Sequence, residues 1–167
     1  MFKEPDISSS YKKVPVFGEF FYNYVMKHRP KVIIEFGVRQ GYSAICMAQA
    51  LRDLGEGHIY SYDNLAEGGG IQLVRIKHYI ETYDVGKWLT FEVKDFYDWM
   101  KNPTPFDLLH VDVDNTGDTI KLLKKTFPKK HIIFEGGIPS RDREGQEPMT
   151  PLKHKVLVWD FPGLSKL

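Results

Sequence analysis

Lys31-Val32-Ile33-Ile34-Glu35-Phe36-Gly37-Val38-Arg39-Gln40-Gly41-Tyr42-Ser43-Ala44 is the stretch on which the reading of the fold turns. Val32 to Ile34 is a β-branched apolar run of the kind buried on both faces of a parallel sheet, and it stops abruptly at Glu35 and Gly37. Gly41 then opens a segment, Tyr42 to Leu54, in which Ala44, Ile45, Ala48 and Leu51 share one helical face. Strand, glycine-bearing turn and helix in that order form the first unit of a nucleotide-binding α/β domain. The glycines let the backbone pass close to a ligand where a Cβ would collide. The helix amino terminus behind the turn presents unpaired N–H groups.

Glu35-Phe36-Gly37-Val38-Arg39-Gln40-Gly41 resembles the acid-x-Gly-x-x-x-Gly first motif of the class I S-adenosylmethionine (SAM) dependent methyltransferases, in particular their small-molecule O-methyltransferase branch. It lacks the G-x-G-x-x-G of dinucleotide binders. The resemblance implies that Glu35, Gly37 and Gly41, with Tyr42 and Ser43 at the helix start, contact the methionine end of SAM. Without it, the same residues are an ordinary βα turn with Gly37 as the bend.

At 167 residues the chain is expected to be one domain, with no second domain to seek. Hydrophobic content of 42%, charged content of 27% and a net charge of +1 describe a soluble globular protein with no electrostatic footprint for nucleic acid or an anionic membrane. Lys121, Lys124, Lys125, Lys129 and Lys130 read as a solvated helix face. The one cysteine, Cys46, excludes an internal disulfide and reads as a small packed side chain. No apolar run approaches a membrane span, and the start carries no signal-peptide core, so a cytoplasmic protein is expected.

Residues 1–15, with Pro5, Ser8 to Ser10 and Pro15, are expected to form an irregular arm and not a packed element. The resemblance implies an arm that covers the cofactor. Phe17, Phe20, Phe21 and Tyr24 form an aromatic stripe on a helix over Phe17 to His28, ended by Pro30. His58 to Asp63 reads as a second strand. Asp63 stands at its end, 22 residues beyond Gly41, where this architecture places a carboxylate for the ribose hydroxyls. Its competing reading is a cap for the following turn. The resemblance carries Asp63 and Asn64 over as ribose and adenine contacts.

After the Glu67 to Gly70 loop a helix is expected from about Ile71 to Tyr83, then a strand from Trp88 to Val93. Asp95 follows at its carboxyl end. The resemblance makes Asp95 an adenine contact and Phe96 a ring wall; the residues alone equally make Asp95 the N-cap of a short helix through Met100.

Phe106 to Asp114 is expected to deliver Asp112 and Asp114 to the same sheet edge as Glu35, Asp63 and Asp95. The run resembles the F-D-x-x-x-x-D-x-D segment of metal-dependent O-methyltransferases, whose first terminal acid binds a divalent ion. That implies Asp112 at the cofactor and metal, with Asp114 beside it. A helix over Thr119 to Phe127 and a strand over His131 to Phe134 lead to Glu135-Gly136-Gly137, where such relatives have Asp-Asn. The resemblance implies Glu135 as a second metal ligand, with Gly136 supplying none; the residues alone equally make Asp112 and Asp114 caps of the loop before Thr119 and Glu135 an orderer of the loop after the strand. Without a metal, His110 or Asp114 is the candidate base, although His110 within a strand also reads as a packed histidine. Arg141, Asp142, Arg143 and Glu144 sit in a long polar loop, 138–153, and read either as the lining of a substrate entrance or as solvated loop charges. Lys155 to Trp159 is a last strand.

Together these readings describe an α/β, doubly wound, Rossmann-like and mainly parallel sheet with helices on both faces, shortened at its C-terminal end. The expected activity is methyl transfer from SAM to an oxygen of a small-molecule acceptor, with Mg²⁺ as a candidate assistant. The rival is a non-catalytic SAM-binding or interaction protein of the same fold; a nicotinamide oxidoreductase is disfavoured by the missing middle glycine. The shortened sheet end points to a homo-oligomer formed through the last strand.

Overall fold

A computed structural model describes residues 1–9, 16–66, 68–113, 117–136, 155–160 and 163–166. In chain order the elements are α1 (Val16–His28), β1 (Val32–Phe36), α2 (Tyr42–Leu54), β2 (His58–Asp63), α3 (Gly69–Thr82), β3 (Leu89–Val93), α4 (Phe96–Lys101), β4 (Leu108–Val111), α5 (Gly117–Thr126), β5 (His131–Gly136), β6 (Lys155–Asp160) and β7 (Gly163–Lys166). The strands form one sheet in the order β3-β2-β1-β4-β5-β6-β7. β1 to β5 are mutually parallel, and β6 and β7 pair antiparallel at one end. The order reverses between β1 and β4. This is the switch point at which ligands of open α/β sheets bind, beyond the strands' carboxyl ends.

Two apolar layers hold the sheet. On one face α1 and α2 pack together, with Phe17, Phe21 and Tyr24 buried from the expected stripe. All ten residues from Tyr42 to Leu51 are buried, because α2 is enclosed by neighbours on more than its sheet side. The other face is aromatic. The Phe36 ring lies 5.1 Å from Tyr62, 5.2 Å from Phe96 and 5.1 Å from Trp99.

The arm departs from expectation. Residues 1–9 carry no helix or strand, as expected, but they are packed: Ile7 is fully buried. Lys3 N donates to Gln49 Oε1 (2.9 Å) and Gln49 Nε2 donates back to Lys3 O (2.9 Å). Tyr22 donates to Asp53 (2.8 Å) next to the terminal amine, and burial with that carboxylate pushes the Tyr22 phenol up to about 12. The arm runs along α2 and reaches the turn at Glu4, which accepts from the Tyr42 hydroxyl at 2.5 Å. Burial, then that bond, holds the Tyr42 phenol far above its usual range.

The C-terminal end also differs. The strand expected to be left for oligomer contacts, β6, is paired on both edges, so the open edge belongs to β7. The 138–153 loop, with Arg141, Asp142, Arg143 and Glu144, lies outside the described residues. No helix among the described residues is long and apolar enough to cross a membrane.

Candidate active site

The turn after β1 is built by its neighbours. Gly37 N donates to Tyr62 O (3.0 Å), and Phe36 O accepts from Asp112 N (2.9 Å). A Cβ on Gly37 would stand 2.0 Å from Asp112 O, at a φ of +88°. The crossing backbone of the residue after β4 is therefore sufficient by itself to require a glycine here. Gly41, also left-handed, faces Ile76, whose Cγ1 would lie 3.1 Å from a Cβ. Ile45 N makes the first bond of α2, to Gly41 O (2.9 Å), so the N–H groups of the first turn stand ahead of the helical ladder.

Asp63 ties this turn to β2. Its Oδ2 accepts from Arg39 N (2.9 Å) and Gln72 Nε2 (3.0 Å), and its Oδ1 from Leu65 N (2.7 Å). Asp63 thus caps its own turn, which is the competing reading, while standing at the end of β2 where the ribose reading needs it. Asn64 Nδ2 donates to Asp95 Oδ2 (3.5 Å), while Asp95 Oδ1 accepts from Tyr97 N (2.8 Å) and Asp98 N (3.1 Å) as the N-cap of α4. The edges of β1, β2, β3 and β4 are thus linked pairwise: Phe36 to Asp112, Arg39 to Asp63, Asn64 to Asp95.

Three expectations are corrected. Glu35 does not reach the turn surface: it is 0% exposed and accepts from Ser43 Oγ (2.5 Å) and Ser61 Oγ (2.7 Å). His110 Nδ1 lies 3.0 Å from the same carboxylate; His110 is also 0% exposed, with its ring 5.0 Å from Phe21, so it is a packed histidine and not an accessible base. Phe96 is buried in the aromatic layer; the ring at the rim is Tyr97, 44% exposed, its hydroxyl 3.2 Å from Thr119 Oγ1. Ser43 is buried with its hydroxyl turned inward, which secures the start of α2 from below.

Ser61, Gln72 and Tyr97 were not singled out from sequence. A signal for the first existed: Glu35, Ser61 and His110 each precede by two residues a member of the edge set, Gly37, Asp63 and Asp112. The register indeed pairs Glu35 with both.

Asp112 is half-buried just beyond β4. Asp114 and the side chain of Glu135 lie outside the described residues. Among the described residues no group of three or more His, Cys, Asp or Glu could hold a metal ion. For a nucleoside the residues do fit. Asp63 faces the edge, and Gln72 Oε1 beside it is a buried acceptor without a donor.

A family model described as a methyltransferase domain matches residues 34–131. Among solved structures, a candidate O-methyltransferase from Klebsiella pneumoniae is 19% identical with a TM-score of 0.62, covering 89% of this chain and 65% of its own. The O-methyltransferase TomG from Streptomyces achromogenes, solved with SAM, is 17% identical with a TM-score of 0.60, covering 86% and 65%. An O-methyltransferase from Bacillus cereus, solved with S-adenosylhomocysteine (SAH), is 19% identical with a TM-score of 0.58, covering 87% and 66%. At these identities the likeness is one of fold, and the chain spans just under two thirds of each relative's length. A search of curated proteins found no match.

Proposed function

This chain belongs to the methyltransferase-domain family, and from that premise we propose that it binds SAM at the β1–β4 switch point and transfers its methyl group to an oxygen of a small-molecule acceptor. The carrying observation is the convergence of Asp63, the Gly37 to Gly41 turn and the linked Asn64–Asp95 pair on one edge. Asp63 offers the ribose a charged acceptor, Asn64 and Asp95 offer the adenine edge a donor and an acceptor, and the first turn of α2 offers N–H groups to a carboxylate. SAM supplies a methyl group on a sulfonium, open to in-line displacement, so the protein's part is to hold the reacting atoms in line.

Asp63→Ala should remove charge-assisted bonds worth about 1.5–3 kcal/mol and weaken SAH binding roughly 10- to 150-fold by calorimetry. Unchanged affinity would place the cofactor elsewhere. A second, metal-assisted reading is favoured by one register: Val111 pairs Phe134, which sets Asp112 and Glu135 at the same level of adjacent strands. Oxygen ligands of that kind suit Mg²⁺ or Mn²⁺, which would lower the pKa of a bound acceptor hydroxyl. If transfer survives in excess chelator, the metal reading falls and the rest stands.

A further inference from the structure

We infer that Gln72 is a cofactor-specificity residue that, together with Asp63, reads the two hydroxyls of an unphosphorylated ribose; the inference rests on the SAM-binding reading above. Gln72 lies near the start of α3 and is 5% exposed. Its Nε2 donates to Asp63 Oδ2 at 3.0 Å, which orients that carboxylate. Its Oε1 is, among the described residues, the buried side-chain oxygen or nitrogen with no hydrogen-bond partner. Turning the amide over would set Oε1 against Asp63 Oδ2, acceptor on acceptor, so Asp63 fixes which end is orphaned. A buried carbonyl oxygen left without a donor carries its full desolvation cost, which a bound donor removes.

The donors that fit are set by counting. Asp63 Oδ2 already accepts two hydrogen bonds and Oδ1 one. A carboxylate has about four acceptor sites, so one remains, on Oδ1. One open carboxylate site and one orphaned carbonyl, joined through a hydrogen bond, make a pair of acceptors matched to a vicinal diol. The same pair repels a 2′-phosphate. Gly68 adjoins Oε1, and Cβ atoms placed on Gly69 and Gly70 would meet nothing within 4 Å. Gly68 and the first two residues of α3, Gly69 and Gly70, therefore add no side chain of their own beside the orphaned oxygen.

Calorimetry of SAH and of its 2′-deoxy and 3′-deoxy forms with wild type and Gln72→Met completes a cycle between one side chain and one hydroxyl. Wild type should bind each deoxy form roughly 3- to 10-fold more weakly than SAH. Gln72→Met should bind SAH weaker by a similar factor and lose discrimination against one of the two deoxy forms. Full discrimination against both by Gln72→Met overturns the inference. Gln72→Glu is a second probe: only a protonated Glu can donate to Asp63 as the amide does, so its SAH affinity should fall as pH rises while that of wild type holds. Binding by Gln72→Glu that is as strong and as pH-independent as that of wild type also overturns it. If wild type ignores SAH altogether, the SAM-binding reading falls and takes this inference with it. If wild type binds and the variants behave alike, only the inference falls.

Discussion

At the scale of single residues, positions that resemble a cofactor motif divide into those that face the site and those that hold it up. Gly37 belongs to the second kind. Its backbone is left-handed and its missing Cβ leaves room for Asp112 O, which would stand at 2.0 Å. Gly55 supplies the contrast: it caps α2 at a φ of +72°, with nothing within 4 Å of a Cβ. Gly55→Ala should cost only left-handed strain, about 1 kcal/mol. Gly37→Ala should cost distinctly more, because the crossing of β1 and β4 must shift as well. Urea midpoints of the two variants test this, and equal midpoints would mean that the turn relaxes around the added methyl. The motif was legible as chemistry, but its division of labour was not. Glu35 reads as a site acid because it precedes the glycines, yet its side chain alternates to the buried face. Only the partners on β2 and β4, Ser61 and His110, reveal that both its oxygens are spent inside.

Elements were legible in proportion to how local their signals are. α2 and β2 begin and end where glycines and the apolar pattern place them. The sequence over β6 and β7 reads as one strand, because Phe161-Pro162, between the paired Asp160 and Gly163, is not a two-residue hairpin signal of the Asn-Gly kind. The pairing of β2 with β3 carries a titratable tie. His58 Nε2 lies 2.9 Å from Thr90 Oγ1. Burial lowers the His58 pKa, partly offset by a backbone hydrogen bond at Lys87. A lowered folded-state pKa means that the neutral ring is favoured in the fold. Its contribution is thus complete above the unfolded value of about 6.5 and is lost as pH falls from there towards the folded value. His58→Gln should therefore flatten the decline of stability between about pH 7.5 and 5.5, seen as thermal midpoints that fall less steeply than those of wild type. Parallel slopes for the two proteins would assign the acid sensitivity elsewhere.

At the scale of the whole molecule, five parallel strands reversing between β1 and β4 bring residues from four strand ends to one crevice, and the family model, over residues 34–131, runs from within β1 to the first residue of β5. The doubly wound architecture is legible because β1, β2, β3 and β4 run into Gly37, Asp63, Asp95 and Asp112 in turn. The acceptor side is not, because acceptor recognition in this architecture falls to loops whose residues carry no shared pattern. The central claim is that the crevice holds SAM and not a dinucleotide. Thermal melting with SAM, SAH and NAD, each at high excess, tests it most directly. A ligand at 100 times its dissociation constant adds about 2.7 kcal/mol, or roughly 5–10 °C in midpoint for a chain of this size. The account predicts that shift with SAM and SAH and none with NAD; a shift with NAD alone would contradict it.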